Sequence, residues 1–279
     1  MEAAFFDLDN TVIAQASMVA FGRPFYREGL ISRRHVVRAI YGQLVYMHLG
    51  ASEQKLARIR ESVLRLTRGW DQARVRQIVR ETLEEVVEPL IYAEAADLIA
   101  EHKAAGRKVF IVSASPEEIV APLAEHLGAD QAIASCAFVD DAGRYTGEMA
   151  FYAYGPFKAE AMAKLAVEQD IDLSASYAYS DSYTDAPMLE AVGHPVAVNP
   201  DRVLAKLAKE RGWEQRTFQV TVPLTPERRV PRPPPGPTAA VAGGAAALVG
   251  AGVLAWSRLR PKPPPTRPAA SWRRWLPGR

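Results

Sequence analysis

Apolar and polar positions change rhythm along this chain, and each change marks a different kind of structure. Residues 3–8 form a short apolar run, interrupted and followed by Asp7 and Asp9, which predicts a buried strand with two carboxylates at its end. Helical spacing comes next. Ser32 stands as an N-cap before Val36, Ile40 and Leu44, and Gly50 can close that helix. Leu56, Ile59 and Val63 continue the pattern to Gly69, and Val75, Ile78, Val79, Leu83 and Val86 form a third amphipathic face ended by Pro89. The opposite faces are polar, which excludes a membrane bundle and predicts an inserted helical subdomain over about 14–88.

From Tyr92 onward helices and strands alternate. A helix ends at Gly106, and Lys108 to Val112 reads as an apolar strand. Ser115, Pro116, Glu117 and Glu118 read as a capping box with proline at the first helical position. Ala132 to Phe138 is a further strand, followed by a hairpin around Asp141, Ala142 and Gly143. A helix near 157–169, a strand from Tyr177 to Ser180, a helix near 185–191 and a strand from Pro195 to Asn199 complete the series. Strands separated by helices predict an α/β fold, a Rossmann-like parallel sheet with helices on both faces, over residues 1–224.

Composition changes the picture mainly at the C-terminal end. The chain has 279 residues and a formal net charge of +2, but from Arg228 onward every charged side chain is basic. Residues 225–237 are a Pro/Arg-rich linker of extended character. Residues 238–257 carry no charge and come near the length needed to cross a bilayer, so they predict a transmembrane or membrane-associated segment; their many alanines and glycines fit a disordered or peripheral role as well. The basic tail 258–279 outnumbers the linker in arginine and lysine, which favours the tail on the cytoplasmic side, whereas a cytoplasmic enzyme demands the reverse. An interfacial placement at anionic headgroups removes that conflict. No signal-like segment precedes the first strand, and Cys136 has no second cysteine to pair with, so the catalytic part is expected in the cytoplasm. No nucleic-acid recognition module accompanies the basic tail, and no nucleic-acid partner is expected.

The candidate chemistry lies at strand ends, where ligands of open parallel sheets sit. Asp7 and Asp9 follow the first strand, Ser113 follows the second, and Asp181 follows Tyr177 to Ser180, with Asp185 four residues further; Lys158 opens the helix before that strand. Carboxylates, one hydroxyl and one ammonium on one rim suit magnesium-dependent phosphoryl transfer. A carboxylate can attack phosphorus, a second can move a proton, and Mg2+ prefers a few carboxylate oxygens with substrate phosphate. The substrate is expected to be small and phosphorylated. The five histidines show no metal-ligand spacing and are expected at surfaces or helix ends. Phe21, Phe25, Tyr26 and Arg23 either line a substrate pocket or, for the aromatics, pack in the core.

These motifs together, hydrophobic-Asp-x-Asp-x-Thr, then Ser113, Lys158 and Asp181-x-x-x-Asp185, resemble the haloacid dehalogenase superfamily from Ala3 to about Leu224. The resemblance implies Asp7 as nucleophile, Asp9 as general acid/base, Ser113 and Lys158 as phosphate binders, and Asp7, the Asp9 carbonyl and Asp181 as Mg2+ ligands. Asp185 is then a support of the metal site and Thr11 a brace of the nucleophile loop. A second aspartate at position 9 is similar to the family's phosphatases and unlike its dehalogenases. The helical insert and the GHPVAVNPD segment resemble the phosphoserine phosphatase-like subgroup. Three positions depart from that subgroup: Ala16 stands where a glutamate usually reads the substrate amino group, Ser180 and Ser182 flank Asp181 in place of glycines, and Thr184 replaces an asparagine. The carboxylates are kept, which implies an active phosphatase. A phosphoserine phosphatase, a lipid-phosphate phosphatase at a membrane and a non-catalytic membrane scaffold are the alternative readings.

Overall fold

A computed structural model describes residues 1–32 and 53–221. The helix expected around Val36, Ile40 and Leu44 lies outside the described residues, as do the linker 225–237, the segment 238–257 and the tail 258–279. Among the described residues no helix is long and apolar enough to cross a membrane.

Seven strands form one sheet in the order β4-β3-β2-β1-β5-β6-β7. They are β1 (Ala3–Asp7), β2 (Lys108–Pro116), β3 (Gln131–Val139), β4 (Tyr145–Phe151), β5 (Tyr177–Ser180), β6 (His194–Val198) and β7 (Glu214–Arg216). All neighbours run parallel except β3 and β4, which form the antiparallel hairpin expected around Gly143. Between β1 and β2 stand α1 (Ser17–Ala20), α2 (Gly22–Arg27), α3 (Glu53–Thr67), α4 (Gln72–Val87) and α5 (Ala93–Ala104). Then come α6 (Glu117–His126), α7 (Pro156–Gln169), α8 (Ala186–Glu190) and α9 (Arg202–Arg211). α9 and β7 extend the α/β series beyond the last predicted strand. The predicted strand at Lys108 to Val112 continues to Pro116, because β2 keeps pairing with β3 through a register shift after Ser113.

Alternation along the central strands sorts the core into two layers. Phe6 faces one side, stacked on Tyr179 at 4.4 Å between ring centroids, in a cluster with Val79, Leu98, Ile111 and Val120. Phe5 faces the other, stacked on Phe110 at 5.1 Å, in a cluster with Met162, Leu165, Met188 and Leu204. Asp7 has the parity of Ala3 and Phe5, so period two aims it at the layer containing α7. That helix buries Lys158, Met162, Leu165 and Ala166, one stripe at helical spacing, so the lysine lies on the inward face of its own helix.

The helical insert is stitched to the far edge of the sheet. Gly69 N–H donates to the Tyr145 carbonyl, Tyr145 N–H to the Trp70 carbonyl, and Gln72 N–H to the Gly143 carbonyl. Phe21 is fully buried, and Phe25 packs between Phe21 and Trp70, so these two aromatics serve the core, while Arg23 is exposed. His102 is buried at the helix end it occupies. It is only 4% exposed, and its Nε2 meets the Tyr179 hydroxyl at 2.8 Å. Its position near the end of α5 is as expected, but that end is covered by the sheet.

Candidate active site

Parallel registration of β1 with β2 and β5 brings three chain ends to one rim. Asp7 lies beside Val112, one residue before Ser113, and Phe6 lies beside Tyr179, two residues before Asp181. Lys158 Nζ enters this rim from α7 and donates to Asp7 Oδ1 at 2.6 Å and Asp185 Oδ2 at 2.7 Å. All three side chains are at most 8% exposed, so the two ion pairs are dry. Gly155 makes this entry possible: its φ of 57° and ψ of −128° belong to a region that favours glycine, and the chain turns there into the first turn of α7.

Burial works against the charge on Lys158, but the Asp7 and Asp185 carboxylates more than offset it and hold its pKa above the ordinary value. Burial raises Asp7 well above the usual carboxylate range; Lys158 opposes the rise, and Asp185, Asp181 and Asp9 add to it by repulsion. Burial, followed by repulsion from Asp185, pushes Asp181 up to about 7. Lys158 thus pairs with two of these four carboxylates, Asp7 and Asp185, while Asp181 and Asp9 add negative charge nearby, an excess that a divalent cation would offset. No three acidic, histidine or cysteine side chains converge as a metal cage among the described residues. Magnesium fits such a site, because it keeps several waters and takes one or two carboxylates with substrate phosphate.

Asp9 has other partners. Its Oδ1 accepts from Ser17 N–H at 2.6 Å and its Oδ2 from the Ser115 hydroxyl at 2.8 Å. Ser113 is buried, and its Oγ accepts from Ser115 N–H at 3.1 Å, which leaves its own hydroxyl proton for a ligand oxygen. Asp185 does more than begin α8: its Oδ2 also accepts from the Ser180 hydroxyl at 2.8 Å, so Ser180 and Asp185 together fix Lys158.

Two expectations change here. The capping box at Ser115 does not form; Pro116 is the N-cap of α6 without a side-chain cap, and β2 carries Ser115 into the site instead. Thr11 is buried, but its hydroxyl has no hydrogen-bond partner among the described residues. The loop is closed by its backbone, with Val12 N–H and Ile13 N–H both donating to the Leu8 carbonyl, and with Asn10 in the left-handed region at φ 62°. Ser17, Ser115 and Ser180 join the site without having been predicted. For Ser180 the only sequence signal is its place as the last residue of an apolar strand; for Ser17 there is none.

Comparison with known proteins now adds to the geometry. Residues 4–190 match the model of the haloacid dehalogenase-like hydrolases. A Mycobacterium tuberculosis protein named a probable phosphatase is 48% identical over 258 residues, covering 92% of this chain and 89% of its own. A phosphoserine phosphatase of the same organism is 36% identical over 222 residues, covering 78% and 71%. A solved structure from Bordetella pertussis Tohama I, a protein of unknown function, is 27% identical with a TM-score of 0.67, covering 77% of this chain and 97% of that one.

Proposed function

The chain belongs to the haloacid dehalogenase-like hydrolase family and is a phosphatase, and on that premise we propose that it hydrolyses a small phosphomonoester through an aspartyl-phosphate on Asp7. The observation that carries the reading is the buried bridge of Lys158 between Asp7 and Asp185, at the strand ends that also carry Ser113 and Asp9.

The bridge ties up Asp7 Oδ1 and leaves Oδ2 to attack phosphorus. As the Oδ2–P bond forms, the ester P–O bond breaks, and Asp9 delivers a proton to the departing oxygen. Water then attacks the same phosphorus, Asp9 takes the water proton, and phosphate leaves with the Asp7 carboxylate restored. Ser113 and Lys158 donate to the phosphoryl oxygens, where charge grows in the transition state. Asp7, Asp181 and the Asp9 carbonyl would hold Mg2+, which when bound would supply positive charge that lets these carboxylates stay ionised beside a phosphate. The helices over about 14–88 are proposed as the cap that selects the substrate.

Ala16 lies directly before Ser17, whose N–H binds Asp9, so the residue beside the catalytic acid offers no carboxylate to an ammonium group. This favours a substrate other than phosphoserine, although the relative named for that activity keeps phosphoserine as the second reading. The full-length protein is expected to release phosphate from p-nitrophenyl phosphate with magnesium, to stop on chelation by EDTA and to recover on adding the metal back. Asp7→Asn is expected to abolish turnover; an active Asp7→Asn protein sinks the nucleophile assignment. A panel of amino-acid, sugar, nucleotide and lipid phosphates then decides the substrate class, with preference for phosphoserine overturning the argument from Ala16.

A further inference from the structure

We infer that Ser115 is a positioning residue for Asp9, and that through Ser17 it ties the catalytic acid to the first turn of the helical insert. The inference rests on Asp9 being the general acid/base. Ser115 and Ser17 are 6% and 0% exposed, and their hydroxyls are 2.8 Å apart, with Ser17 Oγ donating to Ser115 Oγ. Ser115 Oγ then donates to Asp9 Oδ2, and Ser17 N–H donates to Asp9 Oδ1, which closes a ring of three residues around one carboxylate. The ring joins three parts of the fold: the loop after β1, the end of β2 and α1.

Both carboxylate oxygens are therefore held, and the two holds differ in kind. An amide N–H only donates, so it keeps Oδ1 as an acceptor. A hydroxyl donates or accepts, so Ser115 remains a partner whether Oδ2 is bare or carries the proton. Ser115 is also free of the structural duty expected of it, since it caps no helix. Because Ser17 belongs to α1, a shift of the insert moves one of the two groups that orient Asp9.

The test uses the full-length protein with magnesium, and compares p-nitrophenyl phosphate with phenyl phosphate. Nitrophenolate leaves readily without a proton, whereas phenolate leaves more readily with one. kcat/KM includes the phosphoryl transfer to Asp7 but not later turnover steps. Ser115→Ala is expected to lower kcat/KM for phenyl phosphate about tenfold more than for p-nitrophenyl phosphate, and Ser115→Thr to restore the ratio. Equal losses on both esters, or no loss, overturn the inference. Asp9→Asn separates it from the underlying reading: no leaving-group bias in Asp9→Asn removes the general acid itself, whereas bias there but not in Ser115→Ala removes only the role of Ser115. If Ser115→Ala does not fold, Ser17→Ala takes its place, because it deletes the donor to Ser115 and keeps the N–H to Asp9. Bias of the same direction supports the ring, and its absence overturns it.

Discussion

Lys158 shows how much one side chain does at this rim. It is the one ammonium that the Asp7 and Asp185 ion pairs share, and both pairs are buried. Removing one partner of such a group leaves uncompensated charge, which costs about 3–5 kcal/mol. Lys158→Met is therefore expected to lower stability to urea by that order, and to reduce kcat by roughly 10²–10³-fold, the usual loss when a transition-state donor is deleted. Urea melts and steady-state rates check both parts; unchanged kcat in a folded variant overturns the phosphate-binding role. Lys164 gives the contrast. Its side chain is 80% exposed beside Glu168, and Lys164→Met is expected to leave both quantities nearly unchanged. Burial separates the two lysines, because only Lys158 lies on the buried helix stripe with Met162, Leu165 and Ala166.

At the scale of elements, the site depends on how α7 begins. Gly155 takes a backbone conformation that side chains rarely adopt, and three residues later the helix presents Lys158. Gly155→Ala has to strain or shift this turn, at a cost of about 1–3 kcal/mol. The expected outcome is a lower melting temperature together with a lower kcat, although residue 155 supplies no side chain to the site. A fall in stability with kcat intact would separate the turn from the chemistry. β2 teaches a related point. Its predicted end at Val112 and the predicted cap at Ser115 were both reasonable from local residue types, yet pairing with β3 continues past Ser113 and draws Ser115 into the sheet. Tertiary pairing overrode a local capping preference.

For the whole molecule, His102 couples stability to pH. It projects from α5 against the sheet, among Phe6, Tyr177 and Tyr179. Burial, with help from Arg107 and Arg216, lowers its pKa from 6.5 to about 4. The unfolded chain binds the proton first, so the stability held by neutral His102 is complete above about pH 6.5 and is lost as pH falls towards 4. That contribution is on the order of 1–3 kcal/mol. Between pH 7 and pH 5 the denaturant midpoint of the native chain is expected to fall relative to that of His102→Gln, a difference that separates His102 from the opposite effect of the raised Asp181. The C-terminal extension belongs to this scale too. If residues 238–257 associate with a bilayer, the full-length chain sediments with membranes and resists a high-salt wash; recovery in the supernatant removes that expectation.

Much of this protein is legible along the chain because its determinants are local and periodic. Period two in AAFFD, helical spacing in the insert and in α7, and the order Asp7, Asp9, Ser113, Lys158, Asp181 and Asp185 point to an α/β sheet with a phosphoryl-transfer rim. The tertiary structure decided what depends on contacts far apart in sequence. It placed Lys158 between two carboxylates that lie 151 and 27 residues away, and it gave Asp9 a partner 106 residues distant. It also buried His102 against the sheet, and among the described residues it gives the buried Thr11 hydroxyl no hydrogen-bond partner. Residue types and spacing specify which groups reach one edge of the sheet. Only the packed layers determine which oxygen meets which donor, because that choice is made by strand register and helix rotation together.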